Sequence, residues 1–213
     1  VRGILLSDSD SIKYAISGIQ DVVVITDSGD GFYKDGSFIQ HDNIPYNCGY
    51  GRSLIQELAP MLYTFKDTEF EIKNTDIINT WVEKSYLPFI YNGRTMDMVR
   101  GREISRYYEQ SDFACSRILS AMLILTELSE FDILRSVIKT HLTDSFFEYA
   151  SLFAVELAEG LQEDDNIEPK EIKPYFMAFN SMDRAVKHGN GYTIGLAMHS
   201  ERTAAFESIN DEN

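Results

Sequence analysis

The sequence predicts a mainly helical domain followed by the first strands of a β-domain. Three observations carry this. Apolar residues recur at helical spacing through most of residues 50–162. An acidic stretch with two prolines, QEDDNIEPKEIKP, then breaks the pattern. Beyond it, RAVKH, GNG and YTIGLAMHS read as strand, turn and strand.

Taken in order, residues 10–20 close a first helix. Val22, Val23, Val24 and Ile25 are β-branched and bounded by turn residues, which predicts a short extended stretch. DGSFIQHDNIPYNCGYG, residues 35–51, reads as a loop. Leu54, Leu58, Met61 and Leu62 share one face of a helix over 53–65, which Pro60 should bend or shorten. Ile77, Trp81, Tyr86 and Phe89 predict a helix over 76–90, with Trp81 in the core. Further helices are expected over 112–128, 131–142 and 146–161. TAAFESI, residues 203–209, is a candidate third strand. The expected domains are 1–162 helical, 163–174 linker and 175–213 the start of a β-domain. Three strands at a chain end seldom stand alone, so the β-domain reads as truncated.

Composition narrows the function classes. The chain has 213 residues, 44% of them hydrophobic and 12% aromatic, enough for a substantial core. The net charge of -15 argues against a nucleic-acid partner. No apolar run is long enough to span a bilayer, so no membrane insertion is expected. The chain opens on Val1 without a recognisable export signal and reads as a piece of a longer protein. Cys48 and Cys115 fit no metal or redox spacing; two free thiols are the plainer reading, with a disulfide left open.

Two segments could carry chemistry. The 35–51 loop holds His41 and Tyr50, both able to exchange protons, among glycines that allow unusual backbone shapes. On the residues alone, a structural loop with a hydrogen-bonded histidine is the plainer account. NGRTMDMVRGREISR sets four arginines against Asp97 and Glu103, a basic island in an acidic chain. On a helix, Arg102 and Arg106 would leave the same face and could hold carboxylates bidentately; salt bridges to local acids explain them equally well. Asp27, Asp30 and Asp35 do not match a calcium loop and read as turn chemistry. His141 reads as structural, and His188 with His199 makes only a weak metal pair.

Together, DGFYKDGSFIQHDNIPYNCGYG, MDMVRGREISR and SMDRAVKHGNGYTIGLAMHSERTAAFESINDEN resemble polysaccharide lyase family 8, which contains hyaluronate, chondroitin AC and xanthan lyases. The wording is nearest the xanthan lyase branch. The resemblance implies part of an α/α toroid followed by the first strands of an antiparallel β-sandwich. It implies β-elimination on an acidic, uronate-containing polysaccharide by a secreted bacterial enzyme and a monomeric full-length protein; no cofactor is expected and no metal-ligating residue is assigned, with the metal content left open. It further implies His41 and Tyr50 as catalytic residues and Arg102, Arg106 and Tyr108 as substrate-binding residues. A family asparagine and a tryptophan patch should fall ahead of Val1, so the isolated polypeptide is expected to have little activity. Cys48 stands where relatives usually carry a smaller residue. A non-catalytic glycan-binding helical module is the competing reading.

Overall fold

In the computed structural model, which describes residues 1–73 and 75–207, helices α1 (Arg2–Leu5) and α2 (Ser9–Gln20) open the chain. The Asp8 carboxylate caps α2 by accepting the Ser11 backbone N–H at 3.1 Å. A small sheet follows: β1 (Ile25–Thr26), β2 (Gly31–Tyr33), β3 (Phe38–Gln40) and β4 (Ile44–Pro45), arranged in chain order. Only Ile25 of the predicted valine-rich strand joins it. Val22 and Val24 stay exposed because that stretch turns instead of extending.

Helix α3 (Tyr50–Phe65) runs through Pro60 without ending. Pro60 lies on the exposed face, where water can satisfy the carbonyl it leaves unpaired. The predicted helix over 76–90 changes pitch twice. It is α-helical as α4 (Asp76–Trp81), widens to a π turn over Val82–Tyr86 and tightens to a 3-10 turn over Leu87–Phe89. Pro88 enforces the exit. A two-residue hairpin, β5 (Ile90–Tyr91) and β6 (Arg94–Thr95), turns on Asn92 and Gly93, both at positive φ (47° and 72°) as a tight primed turn demands.

Helix α5 (Ser111–Leu125) is the centre of the helical region and packs against α3. It is apolar nearly all round, as expected of a helix enclosed by others. Around it lie α6 (Leu134–His141), α7 (Asp144–Tyr149) and α8 (Leu152–Glu163). The single helix expected over 146–161 is thus two, because Ala150 and Ser151 turn extended and the Ser151 hydroxyl caps α8. Beneath the small sheet, Phe32 stacks on Trp81 with ring centroids 4.3 Å apart and meets Phe38 at 4.5 Å. Each such fully buried ring contributes about 1.5–3 kcal/mol of transfer free energy.

After α8 no helix or strand forms until β7 (Tyr175–Phe179), which begins an antiparallel meander with β8 (Arg184–Gly189) and β9 (Tyr192–Ala197). Thr203–Glu207 form no strand, since they are drawn across to the helical region; Ser208 and Ile209 lie outside the described residues. The join between the two regions is well specified. The buried Arg184 donates to the Met98 carbonyl at 2.9 Å, and the Ser181 N–H donates to the Asp35 carboxylate at 2.8 Å. His188 donates through Nε2 to the Pro88 carbonyl at 2.8 Å, and its Nδ1 meets Thr193 at 3.1 Å. With both ring nitrogens engaged, His188 is a structural tie, while His199 is exposed. Cys48 and Cys115 are both buried free thiols.

Candidate active site

Residues 35–51, expected as a loop, instead form the β3–β4 hairpin and the first turn of α3, because side-chain hydrogen bonds hold the segment to one shape. Asp35 accepts the Ser37 N–H at 2.9 Å, and Asp30 accepts from Gln40 and from the Asp42 N–H. These aspartates are turn residues, as expected. The buried Asn47 amide donates to the Gly36 and Ser85 carbonyls at 2.8 and 2.9 Å, and its oxygen accepts the Phe38 N–H. The Cys48 N–H reaches the Val99 carbonyl at 2.9 Å, tying this loop to the arginine-rich segment. Burial pushes the Cys48 thiol far up, so it is an inert packing group.

Within that frame, His41 sits at the tip of the β3–β4 hairpin with φ 54°. Tyr50 is the first residue of α3, half-buried, and lines a cleft with Val22, Val24, Gln40 and Leu54. The hairpin and the helix start bring the His41 and Tyr50 rings to 5.1 Å, edge to face at 71°. Arg102 approaches from the third side. Its guanidinium donates to the Tyr50 hydroxyl oxygen at 3.0 Å, and Cζ lies 5.8 Å from the Tyr50 ring centre. A fixed cation here stabilises negative charge on the Tyr50 oxygen.

Two residues that the sequence reading did not single out complete the cluster. Glu207, buried at the end of the described chain, places one carboxylate oxygen 2.5 Å from His41 Nδ1 and 2.7 Å from an Arg102 nitrogen. Its other oxygen accepts from the Tyr46 hydroxyl. Burial alone would raise the Glu207 pKa, but donors from Tyr46 and His41 and the Arg102 charge hold it below the usual value. An ionised carboxylate only accepts, so His41 Nδ1 carries the hydrogen. Among the described residues Nε2 is left without a hydrogen-bond partner, as the ring atom open to proton exchange. Glu207 lies 166 positions from His41, beyond any local pattern; its one sequence signal is its place inside the family-like segment that runs from Ser181 to the end of the sequence.

The other two predicted residues stand apart from this cluster. Gly101–Ser105 is a 3-10 turn and Arg106 has left it, so Arg102 and Arg106 do not share an α-helical face. Arg106 instead pairs with Glu109 at 2.8 Å. Tyr108 is exposed and packs edge-on against Tyr107 at 5.3 Å. Beneath them the buried pair Arg52–Glu103, at 3.3 Å, anchors the segment to α3. Arg100, also buried, braces it through Asp97 at 2.5 Å and through the Glu109 carbonyl.

Residues 1–140 match the polysaccharide lyase family 8 N-terminal alpha-helical domain, and residues 174–213 match that family's super-sandwich domain. A xanthan lyase of Bacillus sp. (strain GL1) is 32% identical over 224 residues, covering 100% of this chain and 24% of that protein. A hyaluronate lyase of Staphylococcus aureus is 30% identical, covering 99% of this chain and 28% of that protein. Among solved structures, a Paenibacillus xanthan lyase superposes with a TM-score of 0.94 at 33% identity, over 98% of this chain and 21% of that one. A Streptomyces coelicolor A3 chondroitin AC lyase in complex with chondroitin sulphate gives 0.86 at 27% identity, over 98% of this chain and 31% of that one. The chain therefore spans about a quarter of the length of these relatives.

Proposed function

Since the chain belongs to polysaccharide lyase family 8, we propose that it is the part of a secreted bacterial lyase that cleaves a uronate-containing polysaccharide by β-elimination. The single observation that carries this reading is the Arg102 guanidinium on the Tyr50 oxygen at 3.0 Å, beside the His41 imidazole.

The reaction needs a base for a weakly acidic C–H, charge stabilisation, and an acid for the leaving oxygen. Tyr50 as phenolate, its charge held by Arg102, takes the proton from C5 of the uronate and becomes the phenol. The electron pair from that C–H delocalises into the adjacent carboxylate as an enolate-like species. Its collapse forms the C4–C5 double bond and breaks the C4–O bond. The Tyr50 phenol returns its proton to the departing oxygen, which regenerates the phenolate. No water is consumed.

His41, with Nδ1 committed to Glu207, directs Nε2 to the sugar, where it orients the uronate or shares the proton. Arg106 and the exposed Tyr108 contact the polymer beyond the reacting sugar. For Arg106 this means exchanging Glu109 for a substrate carboxylate. Chain acidity does not forbid an anionic polymer, because salt screens the surface charge within about 10 Å. Residues 1–162 are the C-terminal part of the catalytic domain, residues 163–174 a linker, and the sandwich begins at 175.

The test is a panel of hyaluronan, chondroitin and xanthan-type polymers with the full-length protein, read by the absorbance of the unsaturated uronate. One polymer is expected to give that product, and a glycan-binding module would give none on any of them.

A further inference from the structure

Tyr46 is fully buried, yet its hydroxyl lies at the crossing of three segments that the reaction needs. It donates to one oxygen of Glu207 and accepts the Arg102 backbone N–H at 3.0 Å. Its ring packs edge-on against Tyr50 at 4.9 Å and against His41 at 6.1 Å. Burial, then donation to Glu207, pushes its phenol far above the ordinary value, so it keeps its hydrogen.

The ring occupies a slot built for it. Gly49 and Gly101 each lie so close that a methyl group on either would enter the Tyr46 ring. Gly101 also sits at φ 53°, a left-handed backbone that glycine adopts at no steric cost. Two glycines therefore make room for one aromatic ring whose only polar atom points at Glu207 and Arg102.

We propose that Tyr46 is a positioning residue for the elimination: its hydroxyl, seated by Gly49 and Gly101, sets the Glu207 carboxylate so that Glu207 in turn orients His41 and Arg102. This rests on the lyase reading above for its kinetic consequence, though not for its geometry. A carboxylate surrounded by His41, Arg102 and Tyr46 has donors for both oxygens. Without the phenol, one oxygen loses its partner and the carboxylate is free to rotate. The His41 ring and the Arg102 guanidinium then lose a fixed acceptor. Tyr46 touches no reacting atom in this scheme.

The test uses Tyr46→Phe, which keeps the ring and removes only the hydroxyl, in the full-length protein. Loss of one hydrogen bond to a charged group predicts a kcat about 10–100-fold lower with KM within about two-fold. The same change made in a Glu207→Gln background is expected to cost less than about three-fold, since the two side chains act through each other. Equal losses in both backgrounds, or an unchanged kcat, would overturn the proposal. A nitrogen NMR signal from His41 supplies a readout independent of turnover. The hydrogen on Nδ1, firmly held in the parent, is expected to exchange faster with solvent in Tyr46→Phe; an identical exchange rate would sink the idea. A parent that degrades no polymer refutes the lyase reading, and the His41 signal still decides the role of Tyr46.

Discussion

Arg102 and Tyr50 meet through a guanidinium N–H on the phenol oxygen at 3.0 Å, and the same guanidinium holds Glu207 at 2.7 Å through its other terminal nitrogen. One side chain from the arginine-rich turn thus bridges the start of α3 and the segment after the meander. The cation stabilises charge on the proposed proton carrier and anchors the second region of the chain against the first.

Tyr50→Phe keeps the ring and its contact with His41, and removes the hydroxyl that carries the proton and accepts from Arg102. Turnover in the full-length protein is expected to fall by about 10²–10⁴-fold, the range for removing a general base or acid. Polymer affinity, measured by co-sedimentation or calorimetry, is expected to stay within a few-fold. Retained turnover would transfer the proton role to His41.

Arg102→Lys preserves the charge but not the fork. A lysine ammonium cannot span Tyr50 and Glu207 with the same planar geometry. The expected result is a loss of about 10²–10³-fold in kcat/KM, close to that of Arg102→Ala. Near-complete rescue by lysine would mean that a point charge suffices.

Gly101→Ala should destabilise the fold by about 2–4 kcal/mol, through strain at positive φ and collision with Tyr46. Gly160→Ala is the control. It lies exposed in α8 with open space around it, so it should stabilise by about 0.5–1 kcal/mol. Urea denaturation of the two variants measures both, and equal midpoints would contradict the packing around Tyr46.

Acid is expected to weaken the fold before the carboxylates titrate. Burial, helped by His188, lowers His141 from 6.5 to about 4. Between those values the unfolded chain binds a proton that the folded chain does not. The contribution of neutral His141 is therefore complete above pH 6.5 and declines as pH falls toward 4, by about 3 kcal/mol in all. Glu207, held below 4.5, adds a loss of the same sign only below that pH. Denaturation midpoints at pH 7, 5.5 and 4.5 should fall in that order, with a smaller slope in His141→Gln. A slope unchanged by the substitution would remove His141 as its cause.

Much of this protein was legible without coordinates. The periodicity of α3, α5 and α6, the acidic break and the strand–turn–strand pattern follow from side chains close in sequence, which is why composition and spacing report them. Errors arose where tertiary packing overrode local preference. The valine run stays out of the sheet, the helix from Asp76 changes pitch before Pro88, and Ala150–Ser151 split one expected helix into two.

The sequence by itself determined the helical domain, its β-strand sequel and the segment that carries His41 and Tyr50, though it read as a loop what folds as a hairpin leading into α3. Only the tertiary structure decided that Arg102 turns inward while Arg106 pairs with Glu109, and that Tyr46 and Glu207 close the cluster. The physical reason is range. Helix and strand patterns depend on neighbours a few residues apart, whereas a buried carboxylate is held by donors 105 to 166 positions away that only the folded chain brings together.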